Sequence, residues 1–472
     1  MNILVVEDSN EYIEEISSII NTEAKDCSLT ICKHLTSAMQ EIKNNYFDLI
    51  ILDLSIPTDD NSLDESPNHG HSVLRNARVE ASGTPIIVLT GSSAEDFIES
   101  MLEMSEKSNV WGSNCEIQLV AFHQKHKLDN FPIKLKPYTD NIKALNEIEL
   151  QRNGIVLSVE EDRIIRIFTR RVNGLLCSLT SIGGGLSGVR VFRIIITAEN
   201  GSLIHDSVCK IGTIESIRDE DSRYTKYISR LKPEATPRKL ALLEHGAKKQ
   251  AGVFYGLAEG FSYNAFSTEI ITNKATEVIN TLENLMINWY VESQERKYIS
   301  DIRRRVLSDQ KTEEIINTHN LEWVKEFEEK RIQVRWGTAH GDLHGLNILV
   351  SEDGTPNLID YGDTAEGPST LDPITLEFSI FFHPEGPLRS QNEWPTPEQA
   401  ENWGNLETYL VGCPYPEFVR ACRTWARKIS AGEREIAAVG YSYFLRQLKY
   451  ETGNYDRTLH LLRGAERYYS ST

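Results

Sequence analysis

Short apolar runs alternate with amphipathic stretches over the first 138 residues. The runs are ILVV, LIILDL, PIIVLT and IQLVAF, which start at residues 3, 49, 85 and 117. The stretches between them, such as YIEEISSIINTE and AMQEIKNNY, repeat apolar residues at helical spacing. Continuous apolar strands that alternate with helices are typical of a parallel sheet covered on both faces. The pattern predicts a doubly wound α/β domain over residues 1–138, with a polar loop at 60–71.

Beyond residue 138 the pattern changes twice. A connector at 139–175 contains one helical stretch, VEEDRIIRIFTRRV. Residues 176–212 have a pattern typical of antiparallel strands joined by turns, with a glycine cluster at one turn and ENGS at another. The rest is mostly helical, as in ATEVINTLENLMINWYVESQ and EREIAAVGYSYFLRQLKYE. The pattern predicts an α+β second part.

Composition narrows the class of protein. The chain has 472 residues, enough for roughly three folding units. Its net charge of −19 disfavours direct binding to nucleic acid or to anionic lipid. The seven cysteines are scattered without a CxxC pair, which favours a reducing compartment. Neither a signal peptide nor a run of ~20 apolar residues is present, so we expect a cytoplasmic protein.

Carboxylates follow two of the predicted strands of the first domain. Glu7 and Asp8 come after the first strand, and Asp53 ends the second apolar run. The carboxyl ends of neighbouring parallel strands meet at one crevice, where these acids would repel one another unless a cation neutralised them. Mg²⁺ prefers such oxygen ligands. Thr90 adds a hydroxyl at the same edge, and a lysine near the last strand can meet a bound phosphoryl group.

These residues resemble the receiver domain of bacterial response regulators. The matching segments are VVEDS, DLSIP, GHSVLRNAR and LTGSS. The resemblance implies that Asp53 is the phospho-acceptor and that Glu7, Asp8 and Asp53, with the backbone at Ser55, bind Mg²⁺. It also implies that Thr90 is the switch hydroxyl.

Two features depart from the receiver pattern. The loop after Pro57 is longer than usual. The expected Lys-Pro pair after the last strand is replaced by VAFHQKHK, which offers Lys125 or Lys127 without a proline. Lys136-Pro137 lies too far downstream. Lys125 is therefore the first choice for the receiver lysine, with Lys127 left open.

A glycine-rich turn and a lysine in a strand suggest a phosphate site in the second part. Four glycines lie within six residues: Gly183, Gly184, Gly185 and Gly188. Glycine backbones can approach an anion closely, although a plain tight hairpin explains the cluster equally well. Lys210 sits within an apolar strand, where an unpaired ammonium is costly, so it needs either a nucleotide phosphate or an edge-strand salt bridge.

The segment HGDLHGLN, followed by ILV and then by NLIDYGD, resembles the catalytic core of the aminoglycoside phosphotransferase and choline kinase branch of the protein-kinase-like superfamily. The resemblance implies that Asp342 lies beside the attacking hydroxyl as the catalytic carboxylate. It implies that Asn347 and Asp360 bind Mg²⁺ with the nucleotide phosphates. Carboxylate and amide ligands suit phosphoryl transfer, which depends on positioning and on charge neutralisation.

The resemblance spans roughly residues 175–465 and implies a two-lobed kinase-like domain, with a small lobe at 176–262 and a helical large lobe at 263–472. It implies that the glycine loop covers the ATP phosphates and that Lys210 meets the α- and β-phosphates. A glutamate on the following helix should pair with that lysine; Glu220 is the first choice and Glu215 the alternative. His340 and His344 are interpreted as structural.

The sequence thus predicts a receiver-regulated kinase that uses ATP and Mg²⁺ to phosphorylate a hydroxyl of a small molecule or protein. A sensor histidine kinase or a small phosphodonor would phosphorylate the receiver. The alternative is a catalytically silent module that binds nucleotide or a partner in a signalling or defence complex. A DNA-binding regulator is disfavoured because no basic output segment follows the receiver. No membrane partner is expected, and a homodimer is left open. The acid-rich segment at 276–330 predicts an acidic acceptor cleft that suits a cationic molecule.

Overall fold

The computed structural model describes residues 1–24, 26–60, 62–91, 107–113, 116–184, 189–257, 261, 263–291, 293–391, 393–450 and 454–472. The chain forms two compact units. One comprises Met1–Asp219 with Lys239–Leu257, and the other comprises Glu220–Arg238 with Ala258–Thr472. Within the described ranges, no helix has both the length and the apolar character needed to cross a membrane.

The N-terminal part of the first unit is built on a parallel sheet. The strands here are β1 (Asn2–Val6), β2 (Ser28–Cys32), β3 (Leu49–Asp53), β4 (Ile86–Thr90), β5 (Lys107–Ser108), β6 (Ile117–Gln118) and β7 (Val120–Gln124). The helices are α1 (Asn10–Glu23), α2 (Leu35–Asn44), α3 (Pro67–Glu80) and α4 (Phe131–Asn146). The main sheet has the order β2-β1-β3-β4-β7 with every neighbouring pair parallel, while β5 and β6 pair separately.

Alternation along the strands explains why this sheet is buried on both faces. Ile3 and Val5 of β1 enter one apolar core, and Leu4 and Val6 enter another. Successive strand residues point to opposite faces, so a continuous apolar run can fill two cores at once. The predicted doubly wound α/β fold is confirmed.

The predicted loop at 60–71 is shorter than expected. Helix α3 already begins at Pro67, and the side chain of Ser66 accepts a hydrogen bond from the backbone N–H of Asn68. Proline suits the first turn of a helix because its fixed φ is helical and it lacks an N–H that would have no partner. The capping pair therefore converts the end of the polar segment into helix.

The C-terminal part of the first unit is a second, mainly antiparallel sheet. Its strands are β8 (Glu149–Gln151), β9 (Leu176–Gly184), β10 (Arg190–Thr197), β11 (Leu203–Thr213), β12 (Lys239–Leu243) and β13 (Gln250–Gly256). Its order is β12-β13-β11-β10-β9-β8, with β8 parallel to β9 and the other pairs antiparallel. Two helices accompany it: α5 (Val159–Arg171) before β9 and α6 (Ile214–Lys226) after β11.

Helix α5 packs its apolar side against this sheet. Ser158 and Glu161 form a reciprocal capping box that begins the helix. Phe168 of α5 stacks on Phe254 of β13 with a ring centroid separation of 3.8 Å. The helix therefore forms one wall of the sheet's core.

The same core continues into the parallel sheet. Ile3, Ile87, Phe168 and Phe192 belong to one contiguous cluster of buried apolar residues. This cluster joins the N-terminal sheet, helix α5 and the antiparallel sheet, so the two sheets share an interior within the first unit.

The second unit is mostly helical. Its helices after α6 are α7 (Ala275–Leu285), α8 (Ile299–Arg304), α9 (Asp309–His319), α10 (Trp323–Glu328), α11 (Leu371–Phe382), α12 (Pro397–Glu401), α13 (Leu406–Tyr409), α14 (Pro416–Ile429), α15 (Glu433–Gln447) and α16 (Tyr455–Ser470). Its strands are β14 (Tyr263–Asn264), β15 (Glu295–Tyr298), β16 (Arg331–Val334), β17 (Trp336–Ala339), β18 (Ile348–Val350), β19 (Pro356–Leu358) and β20 (Ala365–Pro368).

These strands form a three-stranded sheet, β14-β18-β19, and two pairs, β15-β16 and β17-β20. The surrounding helical core contains three fully buried tryptophans, Trp289, Trp403 and Trp425. It also contains a buried ion pair, in which the Arg423 guanidinium donates to both carboxylate oxygens of Glu377 at 2.9 and 2.6 Å.

Candidate functional site

The receiver site, which we define as Glu7, Asp8, Asp53 and Lys125, lies at the carboxyl edge of the parallel sheet. Glu7 follows β1 directly, and Asp53 is the last residue of β3. Because β1 and β3 are parallel neighbours, both acids lie at the same edge of the sheet. One ligand oxygen from each of Glu7, Asp8 and Asp53 lies within 4.8 Å of the others. The predicted acids are therefore brought together.

Lys125, directly after β7, completes this group. Its Nζ lies 2.7 Å from Oε2 of Glu7 and 2.9 Å from Oδ2 of Asp53. Lys127 is exposed, and Lys136 lies on helix α4 beside Asp140. Of the lysines left open by the sequence, Lys125 is the one that the structure brings to the acids.

Burial dominates the electrostatics of the receiver site. The Glu7 side chain is 1% exposed, and burial raises its pKa to about 7; Lys125 opposes that rise and Asp53 adds to it. Burial also raises the pKa of Asp53, against the pull of Lys125. Two buried carboxylates thus share one ammonium. Three clustered carboxylate oxygens fit Mg²⁺, which would balance the remaining negative charge.

Thr90 ends strand β4, which lies between β3 and β7 in the sheet. Its backbone is paired in register with Gln124, the residue before Lys125. The strand therefore reaches the edge that carries the acids. The position of the Thr90 hydroxyl lies outside the described residues, so its predicted switch role stays a prediction.

The antiparallel sheet carries the predicted phosphate-binding residues. Gly183 and Gly184 end strand β9 and pair with Val191 and Arg190 of β10. Gly185 and Gly188 fall outside the described residues. The register confirms that the glycine cluster joins two antiparallel strands, while its role toward a phosphate stays a prediction.

Lys210 lies on β11, an interior strand. It is half-buried and is paired in register with Val191 on one side and with Val253 on the other. The alternative of a salt bridge on an edge strand therefore does not apply. Glu215 and Glu220 both lie on helix α6, the first exposed and the second half-buried. Which of them pairs with Lys210 stays a prediction.

In the second unit, residues 340–347 form what we call the Asp342 loop. The buried carboxylate of Asp372 holds its start: one oxygen accepts from the N–H of His340 at 2.8 Å and the other from the N–H of Gly341 at 3.0 Å. Burial raises the pKa of Asp372, while His340 and the two N–H groups oppose that rise. Two directed acceptors fix the peptide planes immediately before Asp342.

The segment that contains Asp360, the second predicted Mg²⁺ ligand of this part of the chain, is tied to the same loop. His340 Nε2 donates to the carbonyl of Ile359 at 3.0 Å. Gly341 has φ +84°, and a Cβ there would lie 2.5 Å from the carbonyl oxygen of Asp363. Only glycine accommodates both constraints. His340 and Gly341 are thus explained by their contacts with Ile359 and Asp363.

Asn347 and Asp360 stand at the same end of a hairpin. Strands β18 and β19 pair Ile348 with Leu358, and the N–H of Ile359 donates to the carbonyl of Asn347 at 3.0 Å. Asn347 Nδ2 donates to the carbonyl of Asp342 at 2.9 Å, which leaves the amide oxygen for another ligand. An amide oxygen and a carboxylate from this end of the hairpin are of the kind that Mg²⁺ prefers as ligands.

His344 lies between these groups as a neutral ring. Its ring packs against that of His383, tilted by 35° with a centroid separation of 4.1 Å, and its Nε2 is 3.8 Å from Oδ2 of Asp342. Burial lowers the pKa of His344 to about 4, although Asp342 opposes that shift. The ring is therefore uncharged at neutral pH, in keeping with its interpretation as a structural residue.

Sequence reasoning missed three residues of this site. Asp372, Arg305 and Arg446 all contact the Asp342 loop or its neighbours. They lie 30 or more residues from Asp342 in the chain, and no local spacing marks them. Both arginines are positively charged, whereas the sequence predicts an acidic cleft.

Comparison with known proteins gives the following matches. Residues 3–108 match the response regulator receiver domain family. A stretch of 69 residues is 35% identical to the uncharacterized protein y4jS of Sinorhizobium fredii, and it covers 14% of this chain and 16% of that protein. The receiver-family match and the strand order of the parallel sheet confirm the predicted receiver domain.

Solved structures similar to parts of this chain fall into two groups. A receiver domain protein from Methanospirillum hungatei is 20% identical, with a TM-score of 0.22, and covers 30% of this chain and 97% of its own. The aminoglycoside phosphotransferase APH(4)-Ia is 13% identical, with a TM-score of 0.35, and covers 62% and 93%. An aminoglycoside-3'-phosphotransferase of type VIII is 15% identical, with a TM-score of 0.36, and covers 62% and 99%. At these values the similarities say nothing about chemistry or substrate. This chain's own elements, an antiparallel sheet with a helix between β11 and β12 and a helical second unit, agree with the α+β architecture predicted for the second part of the sequence.

Proposed function

We propose that this protein is a phosphotransferase that uses ATP and Mg²⁺ to phosphorylate a hydroxyl group under the control of its receiver domain. The observation that carries the proposal is the construction of the Asp342 loop. Asp372 fixes the backbone before Asp342, and Asn347 fixes the carbonyl of Asp342 itself. The Asp342 side chain, 41% exposed, is thereby held rigidly while remaining open to a ligand.

In this proposal Asp342 orients the acceptor hydroxyl and takes its proton. The hydroxyl oxygen forms a bond to the γ-phosphorus of ATP while the bond to the β-phosphate oxygen breaks and ADP leaves. The Mg²⁺ held by Asn347 and Asp360 would neutralise charge on the phosphates. A carboxylate in hydrogen-bond reach of the nucleophile is suited to this task.

Two further segments are candidates for contacts to ATP. Lys210 lies on an interior strand, and Gly183 and Gly184 end strand β9, where glycine backbones can approach an anion closely. We propose that they meet the phosphates, with Glu220 as the partner that positions Lys210.

The receiver site would supply the control. We propose that Asp53 accepts a phosphoryl group from a histidine kinase or a small phosphodonor, with Mg²⁺ on Glu7, Asp8 and Asp53. A phosphoryl group adds about two negative charges beside Lys125. The shared core of the two sheets offers a route by which this change can bias the sheet that carries Lys210.

Substitution of Asp342 tests the enzyme assignment. We expect Asp342→Asn to bind Mg·ATP as tightly as wild type in calorimetry but to hydrolyse or transfer the γ-phosphate roughly 10²–10⁴-fold more slowly. Asp353→Asn, an exposed acid in the β18–β19 turn, is the matched control and should turn over ATP as wild type does. If wild type binds Mg·ATP but shows no turnover that depends on Asp342, the chain is instead a silent nucleotide-binding module.

A further inference from the structure

Two arginines of the second unit approach the Asp342 loop, one at the carboxylate of Asp342 and one at the residue before it. Nη2 of Arg446, near the end of helix α15, lies 3.8 Å from Oδ1 of Asp342. That separation is too long for a hydrogen bond, so neither group satisfies the other. Arg446 also has a side-chain hydrogen bond with Tyr450, and a guanidinium has five N–H donors, so both Arg446 and the carboxylate retain hydrogen-bonding capacity toward a ligand.

Arg305, just after helix α8, approaches the same loop from another element. Its Nη2 donates to the carbonyl of Asp363 at 2.5 Å. A Cβ on Gly341 would lie 2.6 Å from that Nη2, so the guanidinium lies against the residue before Asp342. Arg305 thus lies beside the backbone of the Asp342 loop, and Arg446 lies beside the carboxylate of Asp342.

The two guanidinium groups influence each other's charge. Burial lowers the pKa of Arg305, and Arg446 and Arg223 lower it further, against Asp372 and Asp363. Asp372 is already committed to two backbone N–H groups. An anion bound beside both guanidinium groups would relieve the repulsion between them.

Two of the guanidinium nitrogens also lack acceptors. Nε of Arg305 and Nε of Arg446 are buried, and no acceptor for either occurs among the described residues. The Arg446 side chain is only 16% exposed, so water reaches it poorly. A buried donor without an acceptor is costly, and a ligand anion would remove that cost.

We propose that the acceptor is a small hydroxy compound that carries a carboxylate or a phosphate close to the hydroxyl. Arg446, assisted by Arg305, binds the anionic group while the hydroxyl meets Asp342. This inference rests on the proposed phosphotransferase function and names its substrate class. It reverses the cationic acceptor that the acid-rich sequence predicts.

The test compares matched alcohols of different charge. Glycerate and glycerol 3-phosphate are the anionic probes, glycerol is the neutral probe and choline is the cationic probe. Each is offered to the full-length protein with Mg·ATP; phosphoryl transfer is followed with labelled ATP, and binding without turnover by saturation-transfer NMR. We expect an anionic probe to be preferred at least tenfold, and the better of the two separates carboxylate from phosphate recognition.

Substitution of Arg446 then identifies the binding group. Arg446→Met should raise KM for the preferred anion roughly tenfold to a hundredfold, the effect of losing one charge-assisted hydrogen bond, with a smaller change in kcat. Arg446→Lys should recover part of the loss. Arg434→Met is the matched control, because Arg434 lies at the other end of the same helix over the ring of Tyr469.

Three results would overturn the inference. A panel without preference for anions, whether every probe responds or none does, contradicts it. So does an Arg446→Met protein, folded by its thermal melt, that keeps the wild-type KM for the anion. An equal loss of kcat toward all acceptors would mean that Arg446 only positions Asp342. ATP hydrolysis that depends on Asp342 separates these failures from failure of the proposed function. If only the substrate class is wrong, this hydrolysis persists. If the proposed phosphotransferase function is wrong, it is absent.

Discussion

The two carboxylate sites place the acids proposed to react, Asp53 and Asp342, in opposite environments. In the receiver site Asp53 is 3% exposed, and Lys125 faces it at 2.9 Å. In the Asp342 loop the reactive carboxylate is open to solvent, and the buried one is Asp372, which accepts two backbone N–H groups.

The difference shows two uses of a buried carboxylate. A buried charge is costly unless it is paired or hydrogen-bonded. In the receiver site the pairing is with the ammonium of a lysine side chain, which a bound cation or phosphoryl group could displace or reorient. In the Asp342 loop the pairing is with the backbone, so the buried acid fixes geometry while a different acid, Asp342, is the one proposed to react.

The largest effect that separates these uses is expected from Asp372→Ala. The change leaves the N–H groups of His340 and Gly341 without an acceptor, which should lower the free energy of unfolding by about 3 kcal/mol. Turnover of ATP should fall with it, whereas Asp342→Asn should lose turnover without losing stability. Urea unfolding and an ATP hydrolysis assay measure both quantities. If Asp372→Ala were as stable as wild type, Asp372 would not hold the loop.

The pH dependence of stability should have opposite signs at the two sites. Burial raises the pKa of Glu7 from 4.5 to about 7, so its contribution is fully present below pH 4.5 and is lost as the pH rises through 7. Burial lowers the pKa of His344 from 6.5 to about 4, so its contribution is present above pH 6.5 and is lost as the pH falls through 4. Each term amounts to at most about 3 kcal/mol.

Thermal melts from pH 4 to 8 of wild type, Glu7→Gln and His344→Gln measure these terms. Relative to Glu7→Gln, wild type should become less stable as the pH rises from 4.5 to 7. Relative to His344→Gln, it should become less stable as the pH falls from 6.5 to 4. Parallel slopes for the two comparisons would show that the sites are not electrostatically distinct.

Removal of the receiver lysine should produce a smaller loss that Mg²⁺ repairs. Lys125→Met leaves Glu7 and Asp53 without their counter-charge and should cost about 2 kcal/mol at pH 8, less at pH 6 where Glu7 takes up a proton. Added MgCl2 should raise the melting temperature of Lys125→Met more than that of wild type. Lys127→Met, at an exposed position, is the control. An equal response of all three proteins to MgCl2 would argue against cation binding at these acids.

The smallest effect is expected where the receiver meets the antiparallel sheet. The Tyr46 hydroxyl donates to the carbonyl of Gly246 at 2.9 Å, and Glu80 pairs with Lys249 at 2.7 Å. Tyr46→Phe removes one hydrogen bond and should lower the free energy of unfolding by about 1 kcal/mol. It should also weaken the response of turnover to receiver phosphorylation. If the turnover of Tyr46→Phe responds to receiver phosphorylation as that of wild type does, the coupling runs through other contacts.

The apolar runs were sufficient to predict the parallel sheet, because a strand buried on both faces leaves a continuous signal in the sequence. The acids followed from the same pattern, since strand ends can be read from it. The sequence could not decide between Lys125 and Lys127. Both lie in the short 3-10 helix Lys125–Asn130 after β7, and the exact end of the strand determines which side chain reaches the acids.

Contacts between elements that lie far apart in the chain could not be predicted from the sequence. Nothing in the helix Val159–Arg171 says that its partner core also contains Ile3 and Ile87. Arg446 reaches Asp342 from a helix about 100 residues away, so its charge could not enter a prediction based on the acid-rich segment. Composition describes the average surface, whereas a cleft depends on the few side chains that the fold turns inward.

The most direct test of receiver control is ATP turnover by wild type and Asp53→Asn with and without acetyl phosphate in the presence of Mg²⁺. The proposal predicts that acetyl phosphate changes the turnover of wild type and leaves that of Asp53→Asn unaltered. If both proteins respond alike, or if neither responds although Asp53 of wild type is shown by mass spectrometry to be phosphorylated, the receiver does not control the kinase-like fold.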